Sequence, residues 1–151
     1  MYPALERRCE RTRAGPLFPD ILDENRLVET LENMETLQGH SGCVNTLRWN
    51  KSGQILASGS DDRLVKLWRA GAEKCSIETG HDGNVFAVEF LPSSGDKKLV
   101  TGAADCVVFM HDVETKASKR WESGGRIKRI CTVSNDPHLF WAASEADQRV
   151  M

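Results

Sequence analysis

Two stretches of this chain carry the same pattern of residues, and this repeat limits the fold more than any other feature. The first stretch covers Gly39–Trp68 and the second covers Gly80–Asp112. Their Gly-His pairs lie 41 residues apart, and the Asp residues in the matching turns lie 43 residues apart. Self-similarity at this period is typical of propeller blades, each of which is a four-stranded antiparallel sheet.

Each copy opens with an alternating apolar stretch, which is Val44–Trp49 in the first copy and Val85–Phe90 in the second. Clusters of turn-forming residues follow, at Asn50–Gly53 and Pro92–Asp96. Apolar alternation bounded by such clusters predicts short strands joined by tight turns. Both copies therefore predict antiparallel β-structure throughout.

A third copy of the pattern begins near Gly124, predicts strands over Ile127–Val133 and Leu139–Ala143, and ends at Met151 inside its expected third strand. The fold class is therefore all-β, a partial β-propeller of about 2.7 blades. We predict an N-terminal extension over 1–38, repeats over 39–79 and 80–123, and a truncated repeat over 124–151. Because a closed ring needs roughly four or more blades, we expect a fragment or truncated isoform of a longer protein, with an open blade face and an unpaired sheet edge.

Residues 1–38 differ from the repeats because they are denser in charge and are interrupted by prolines. After the prolines, apolar residues recur at helical spacing: Leu27, Val28, Leu31 and Met34. This spacing predicts a short amphipathic helix over Asp23–Glu32, with an Asp available as its N-terminal cap. A disordered linker is the alternative interpretation of the same segment.

The overall charge and the cysteines exclude several classes of protein. A net charge of −2 gives no general attraction to nucleic acid or to an anionic membrane. The sequence contains no apolar run long enough to span a membrane and no signal peptide. Its five cysteines (Cys9, Cys43, Cys75, Cys106 and Cys131) are odd in number and widely spaced. We expect them to be reduced and mostly buried, in a protein of the cytoplasm and nucleus.

Two repeated sets of polar residues invite a catalytic interpretation. The sets are His40, Ser58, Asp62 and Trp68 in the first copy, and His81, Thr101, Asp105 and His111 in the second. One reading is a Ser-His-Asp hydrolase. The other is a hydrogen-bond network in which Asp accepts from His, and His bonds a hydroxyl that also meets the indole. A unique active site would occur once, so recurrence at the repeat period favours the structural network.

This pattern resembles the WD-repeat family, in which a repeat spans from Gly-His to Trp-Asp. The first copy keeps Trp68 but has Arg69 in place of the Asp, and the second keeps Asp112 but has His111 in place of the Trp. The resemblance implies that the all-β fold is a partial WD-repeat β-propeller with a short N-terminal helical segment. It also implies a weaker polar network in the second blade, where an imidazole replaces the indole donor.

Longer stretches resemble one group within that family, the substrate receptors of cullin-4 ubiquitin ligases. These stretches are residues 39–50, 58–62, 80–92, 101–105, 126–130 and 135–137, and the resemblance covers about residues 35 to 151. It implies a protein that docks on the damaged-DNA-binding adaptor of the ligase and holds substrates for ubiquitination by others. Such a receptor needs no catalytic residue, cofactor or metal.

The resemblance also implies two elements that contact the adaptor. One is an N-terminal helix, for which the candidate residues here are Leu27, Val28, Leu31 and Met34. The alternative is that this segment only covers the bottom of the propeller. The other element is Trp-Asp-x-Arg at the end of a third strand, and neither Trp68–Gly71 nor His111–Glu114 carries that Arg. Docking through this second element is therefore in doubt.

A cluster of basic residues lies between the second and third copies: Lys116, Lys119, Arg120, Arg126, Lys128 and Arg129. One reading is solvated loop charge. The other is contact with an acidic partner or with histone-bearing chromatin. Trp121 is the only aromatic residue inside the cluster, and this lack of stacking residues disfavours a groove for single-stranded nucleic acid.

We therefore expect a protein-interaction scaffold, the N-terminal part of a substrate receptor for a cullin-4 ligase. Its expected partners are the damaged-DNA-binding adaptor and substrate proteins, with histones and histone deacetylases as candidates, and no direct nucleic acid or membrane. The alternatives are a chromatin- and histone-binding transcriptional co-repressor scaffold and a non-functional truncated isoform. An enzyme built on a propeller is the hypothesis that the repeated polar sets disfavour.

Overall fold

The structure is a computed structural model that describes residues 35–133 and 136–145. Its ten elements in these ranges are all strands: β1 (Val44–Trp49), β2 (Leu56–Ser60), β3 (Leu64–Arg69), β4 (Ala72–Glu78), β5 (Val85–Phe90), β6 (Lys98–Ala103), β7 (Val107–Asp112), β8 (Ser118–Glu122), β9 (Ile127–Val133) and β10 (Asp136–Ser144). No helix in this part of the chain is long and apolar enough to cross a membrane. The helix predicted over Asp23–Glu32 lies outside the described residues.

The strands form antiparallel sheets whose order follows the chain, β1-β2-β3-β4 and β5-β6-β7-β8, with β9 paired to β10 in a third. The predicted all-β class and blade topology are confirmed, and the strands predicted over Val44–Trp49, Val85–Phe90 and Ile127–Val133 have those bounds. The prediction for Leu139–Ala143 is too short, since β10 covers Asp136–Ser144. The pairing of β10 with β9 has an irregularity between Asp136 and Phe140, near the start of the strand.

The first strand of each sheet carries an irregularity at the same place. Pairing shifts between Val44 and Thr46 in β1 and between Val85 and Ala87 in β5. In β9 it shifts between Ile127 and Arg129. The extra residues are therefore Asn45, Phe86 and Lys128, one in the first strand of each sheet. A bulge turns its extra side chain away from the regular alternation, so these three residues share a distinct position.

The core lies between the sheets. Val65 and Leu67 of the first sheet pack with Val85, Val88 and Leu99 of the second, and a further cluster joins the second sheet to the third. Glycines in the second strands of the first two blades allow this close approach. A Cβ on Gly59 would lie 2.7 Å from Val85 Cγ1. A Cβ on Gly102 would overlap the side chain of Ile127.

The other face of the first sheet is open among the described residues. Leu47 and Trp49 of β1 are 61% and 58% exposed. The matching residues of β5 are Val88 and Phe90, which are 4% and 6% exposed because the first sheet covers them. Apolar residues of this size on one face are typical of a surface that packs on a further element.

The expectation that the cysteines are mostly buried is wrong for the described residues. Cys43 and Cys131 are exposed, and Cys75 and Cys106 are partly exposed, all as free thiols. Cys43 precedes β1 in a loop. Cys131 lies opposite Trp141 on β9 and β10, where Trp141 is also 42% exposed. Both thiols therefore occupy positions that the packed core does not reach.

Candidate functional site

The first polar set forms a continuous chain of hydrogen bonds. His40 Nδ1 lies 2.8 Å from Asp62 Oδ2, and His40 Nε2 lies 2.7 Å from Ser58 Oγ. Trp68 Nε1 donates to the same Ser58 Oγ at 2.8 Å. With its proton on Nδ1, His40 donates to the Asp62 carboxylate and accepts from the Ser58 hydroxyl at Nε2, and the hydroxyl oxygen accepts from the indole. The chain joins the loop before β1 to β2 and β3.

The second polar set has the same arrangement. His81 Nδ1 lies 2.9 Å from Asp105 Oδ2, and His81 Nε2 lies 2.9 Å from Thr101 Oγ1. Thr101 Oγ1 lies 2.9 Å from His111 Nε2. Thr101 has one proton to donate, so when it donates to His81 it must accept from an Nε2–H of His111. His111 therefore supplies the donor that Trp68 supplies in the first blade.

Burial sets the charge of the groups in these networks. Burial lowers the pKa of His81, although Asp105 opposes the shift. Burial, together with the nearby His81, lowers the pKa of His111 to about 4. Burial alone would raise the pKa of Asp62, but hydrogen bonds from His40 and from backbone N–H groups outweigh it and lower that pKa. Both imidazoles of the second network are therefore neutral near pH 7.

The hydroxyls of the two networks are closed to substrates. Ser58 is 2% exposed and Thr101 is 0% exposed. Each oxygen already takes part in two hydrogen bonds within its network. A nucleophile must reach a substrate atom, so neither hydroxyl can act as one in this arrangement. The networks instead fix the loops and strands of each blade.

The ends of the third strands differ between the blades. Asp112 Oδ1 accepts the backbone N–H groups of Glu114 and Thr115, at 3.0 and 2.9 Å. The pKa of Asp112 is lowered, mainly because the backbone N–H of Thr115 donates to its carboxylate. In the first blade Arg69 pairs directly with Ala72 across a tighter turn. Asp112 thus shapes its own hairpin.

The structure divides the predicted basic cluster. Lys119 and Arg120 lie on β8, the outermost strand of the second sheet. Lys128 and Arg129 lie on β9, which packs against the inner strands β5 and β6. Lys116 lies in the turn before β8, where its Nζ is 3.9 Å from Cys75 Sγ. Lys119 and Arg120 therefore lie on a different sheet from Lys128 and Arg129.

Part of the cluster lines a cleft along the innermost strands. The cleft has a volume of about 210 Å³ and is lined by residues 45–48 of β1, 86–89 of β5 and 128–130 of β9. Arg48 Nη2 lies 2.7 Å from Glu89 Oε2, and this carboxylate is 8% exposed. Lys128 Nζ lies 4.3 Å from the centre of the Phe86 ring. The inner-strand cleft, as defined by these residues, carries three cations and one carboxylate.

Sequence reasoning missed the contacts that join the blades. Arg48 Nε also donates to Glu89 Oε1 at 2.9 Å, so the pair is bidentate. Asn50 Nδ2 donates to Asp96 Oδ2 at 2.7 Å between the turns of the two blades. Arg48 and Glu89 lie 41 residues apart, which is the spacing of the Gly-His pairs. Opposite charges at matching repeat positions were the signal that could have indicated this pair.

The predicted adaptor-docking residues lie outside the described ranges: Leu27, Val28, Leu31 and Met34. Within those ranges, no three His, Cys, Asp or Glu side chains come together as a metal site requires.

Comparison with known proteins places the repeat in a family. The model of the family described as "WD domain, G-beta repeat" matches residues 31–69 and 73–112, which is more than half of the chain. The WD40 β-propeller domain of Doa1 superposes with a TM-score of 0.64 at 22% identity, over 76% of this chain and 37% of that one. At that identity the likeness shows the fold alone.

Two human relatives are similar in sequence. WD and tetratricopeptide repeats protein 1 is 48% identical over 113 residues, covering 72% of this chain and 17% of that protein. DDB1- and CUL4-associated factor 6 is 34% identical over 131 residues, covering 82% of this chain and 15% of that protein. The chain therefore spans less than a fifth of the length of these relatives.

Proposed function

This chain belongs to the WD-repeat family, and from that premise we propose that it is the N-terminal part of a substrate receptor for a cullin-4 RING ubiquitin ligase. Repeats of this family build protein-binding scaffolds, and the three sheets form such a scaffold. In this role the chain positions a substrate and carries out no chemistry. We propose that it works in the cytoplasm and nucleus.

The observation that carries the scaffold role is the burial of both hydroxyls in the repeated polar networks. Ser58 and Thr101 are closed to solvent, and the two partners of Thr101, His81 and His111, are 3% and 5% exposed. The same arrangement occurs in both blades, as an element that stabilises each repeat does.

The ligase assignment is supported by the relatives. One is named as a factor associated with DDB1 and CUL4, and it covers 82% of this chain at 34% identity. We propose the damaged-DNA-binding adaptor as the partner and Leu27, Val28, Leu31 and Met34 as the apolar face that contacts it. Helices of this kind lay an apolar face into a groove of the partner, with anchors at helical spacing.

Affinity purification from cells tests this proposal. The 151-residue chain is expressed with a tag and the eluate is blotted for the adaptor. The variant Leu27→Asp with Leu31→Asp places charge on the proposed contact face. The control Asn25→Asp adds a like charge inside the predicted helix, on the side away from Leu27 and Leu31. We expect recovery with the wild type and the control and loss with the double variant.

Each result has a distinct meaning. Recovery that is equal for all three proteins would remove the N-terminal segment from the contact. Recovery with none of them would refute ligase docking by this chain and favour the co-repressor scaffold. Histone tails are basic, however, and the cations of the inner-strand cleft disfavour them as ligands there.

A further inference from the structure

We infer that the inner-strand cleft is a binding site for an acidic segment of a partner protein. In this site Lys128 and Arg129 hold an anionic side chain, while the Phe86 ring receives an apolar neighbour of that side chain. The inference deepens the proposed function, and it rests on that function only in giving the bound segment the role of a ligase substrate.

The charge of the cleft differs from that of the chain. The chain as a whole has a net charge of −2. The cleft lining includes Arg48, Lys128 and Arg129 against the single carboxylate of Glu89. A concave surface of one sign concentrates ligands of the other sign and guides their approach. An acidic ligand is therefore attracted to this cleft although the protein is anionic overall.

The carboxylate of the cleft does not compete for the free cations. Glu89 is buried, and its carboxylate accepts from Nε and pairs with Nη2 of Arg48. This bidentate pair satisfies its charge. Arg129 makes no ion pair with any residue in the described ranges, and Lys128 is 45% exposed at its side chain. Lys128 and Arg129 are therefore the cations that remain for a ligand.

One carboxylate does compete with the proposed ligand. Glu145 Oε2 lies 3.7 Å from Lys128 Nζ and 4.0 Å from Arg126 Nε. The Glu145 side chain is 53% exposed, so its attraction for Lys128 is weak and an incoming anion can replace it. Removing the charge of Glu145 should therefore strengthen binding of an acidic ligand. The site can thus be tested by a substitution that raises affinity.

The walls of the cleft are held in place before any ligand arrives. Asn45 Nδ2 donates to Asp61 Oδ1 at 2.7 Å within the first blade. It also donates to the Val85 carbonyl at 3.2 Å, and this second hydrogen bond joins β1 to β5. The contact of Lys128 with Phe86 joins β9 to β5. Both Phe86 and Lys128 are the extra residues of strand bulges, which direct them out of the sheet alternation. Fixed walls reduce the ordering that binding requires.

A protein segment fits this cleft better than a nucleic acid does. Nucleic-acid grooves combine a continuous track of cations with several stacking rings. The cleft offers a ligand two cations, Lys128 and Arg129, and one aromatic ring, Phe86. An acidic residue next to an apolar residue matches that pair of features.

Fluorescence anisotropy with the full chain tests the inference. The probe is a short fluorescein-labelled peptide that alternates glutamate and phenylalanine, and the control peptide has glutamine in place of glutamate. We expect Lys128→Gln with Arg129→Gln to weaken probe binding about tenfold. We expect Glu145→Gln to strengthen it about threefold. The matched control, Lys119→Gln with Arg120→Gln on β8, removes the same charge elsewhere and should change affinity less than about twofold.

Four outcomes would overturn the inference. The first is no probe binding by the wild type, and the second is equal binding of the glutamine peptide. The third is an equal loss with both double variants, which would show that only the overall charge matters. The fourth is displacement of the probe by oligothymidylate at lower concentration than by unlabelled acidic peptide, which would assign the cleft to nucleic acid. Adaptor recovery separates the two proposals, because the cleft variants leave residues 27–34 unchanged.

Discussion

Thr101 Oγ1 lies 2.9 Å from His111 Nε2, at the position where Ser58 Oγ accepts the indole N–H of Trp68 at 2.8 Å. An indole can only donate, whereas a neutral imidazole donates from one nitrogen and accepts at the other. His111 in place of a Trp therefore keeps the direction of the hydrogen-bond chain as long as its proton is on Nε2. It also adds a group that can become charged, which Trp68 cannot.

Replacing Thr101 with Val should destabilise the fold by about 2 kcal/mol or more. Valine has nearly the same shape, but it leaves His81 Nε2 and His111 Nε2 without a partner at a site that is 0% exposed. Urea denaturation followed by tryptophan fluorescence measures the change. Thr36→Val, at an exposed position before β1, is the control and should change stability by less than about 0.5 kcal/mol. Similar values for the two variants would contradict the network's role.

Stability should fall as pH decreases below about 6.5, the ordinary pKa of His. The pKa of His111 is lowered to about 4 in the fold, mainly by burial, and that of His81 is lowered as well. The unfolded chain therefore binds more protons between those values, so acid favours unfolding. His111 alone should contribute a loss of about 2 kcal/mol between pH 8 and pH 5.

Urea denaturation at several pH values between 8 and 5 measures this slope. The variant His111→Gln retains a donor toward Thr101 but does not titrate, so its slope should be clearly shallower. His81 remains and keeps the slope above zero. An unchanged slope in the variant would show that His111 is not the group responsible.

The sequence predicted the blades because their signals are local and repeated. Strand bounds such as Val44–Trp49 and Val85–Phe90 follow from apolar alternation and flanking turns. Hydrogen-bonding partners within one blade, such as His81 and Thr101, could be proposed because the same residue types recur at the repeat spacing. Local pattern and repetition are therefore sufficient to predict the strands and the polar network of a single blade.

Contacts between blades could not be predicted in the same way. The pairing of Arg48 with Glu89 depends on how one sheet lies against the next. The alternation of apolar and polar residues along a strand does not indicate this packing. The basic cluster is divided between two sheets for the same reason. Lys119 and Lys128 are near in sequence, but they lie on the outermost strand of one sheet and the innermost strand of the next. Proximity along the chain is a poor guide where a blade ends and another begins.

Replacing Gly102 with Ala should destabilise the packing of the second blade on the third by about 1–3 kcal/mol. The added Cβ would overlap the side chain of Ile127 and come 3.1 Å from Ile130 Cδ1. Thermal unfolding measures the loss. In the double variant with Ile127→Ala, the overlap is removed, so the combined cost should be smaller than the sum of the two single costs. Additive costs would show that Ile127 is not the obstacle.

Removing Arg48 should cost more stability than removing Glu89, although both changes break the same ion pair. The carboxylate of Glu89 is 8% exposed, whereas the side chain of Arg48 is 51% exposed. Arg48→Ala therefore leaves a buried charge without a partner, at a cost of about 2 kcal/mol. Glu89→Ala leaves a guanidinium that water can reach, at about 1 kcal/mol. Urea denaturation of both single variants and the double variant gives the coupling energy. Equal single costs, or the reverse order, would show that water reaches Glu89 and that the pair does not join the two blades as a buried contact.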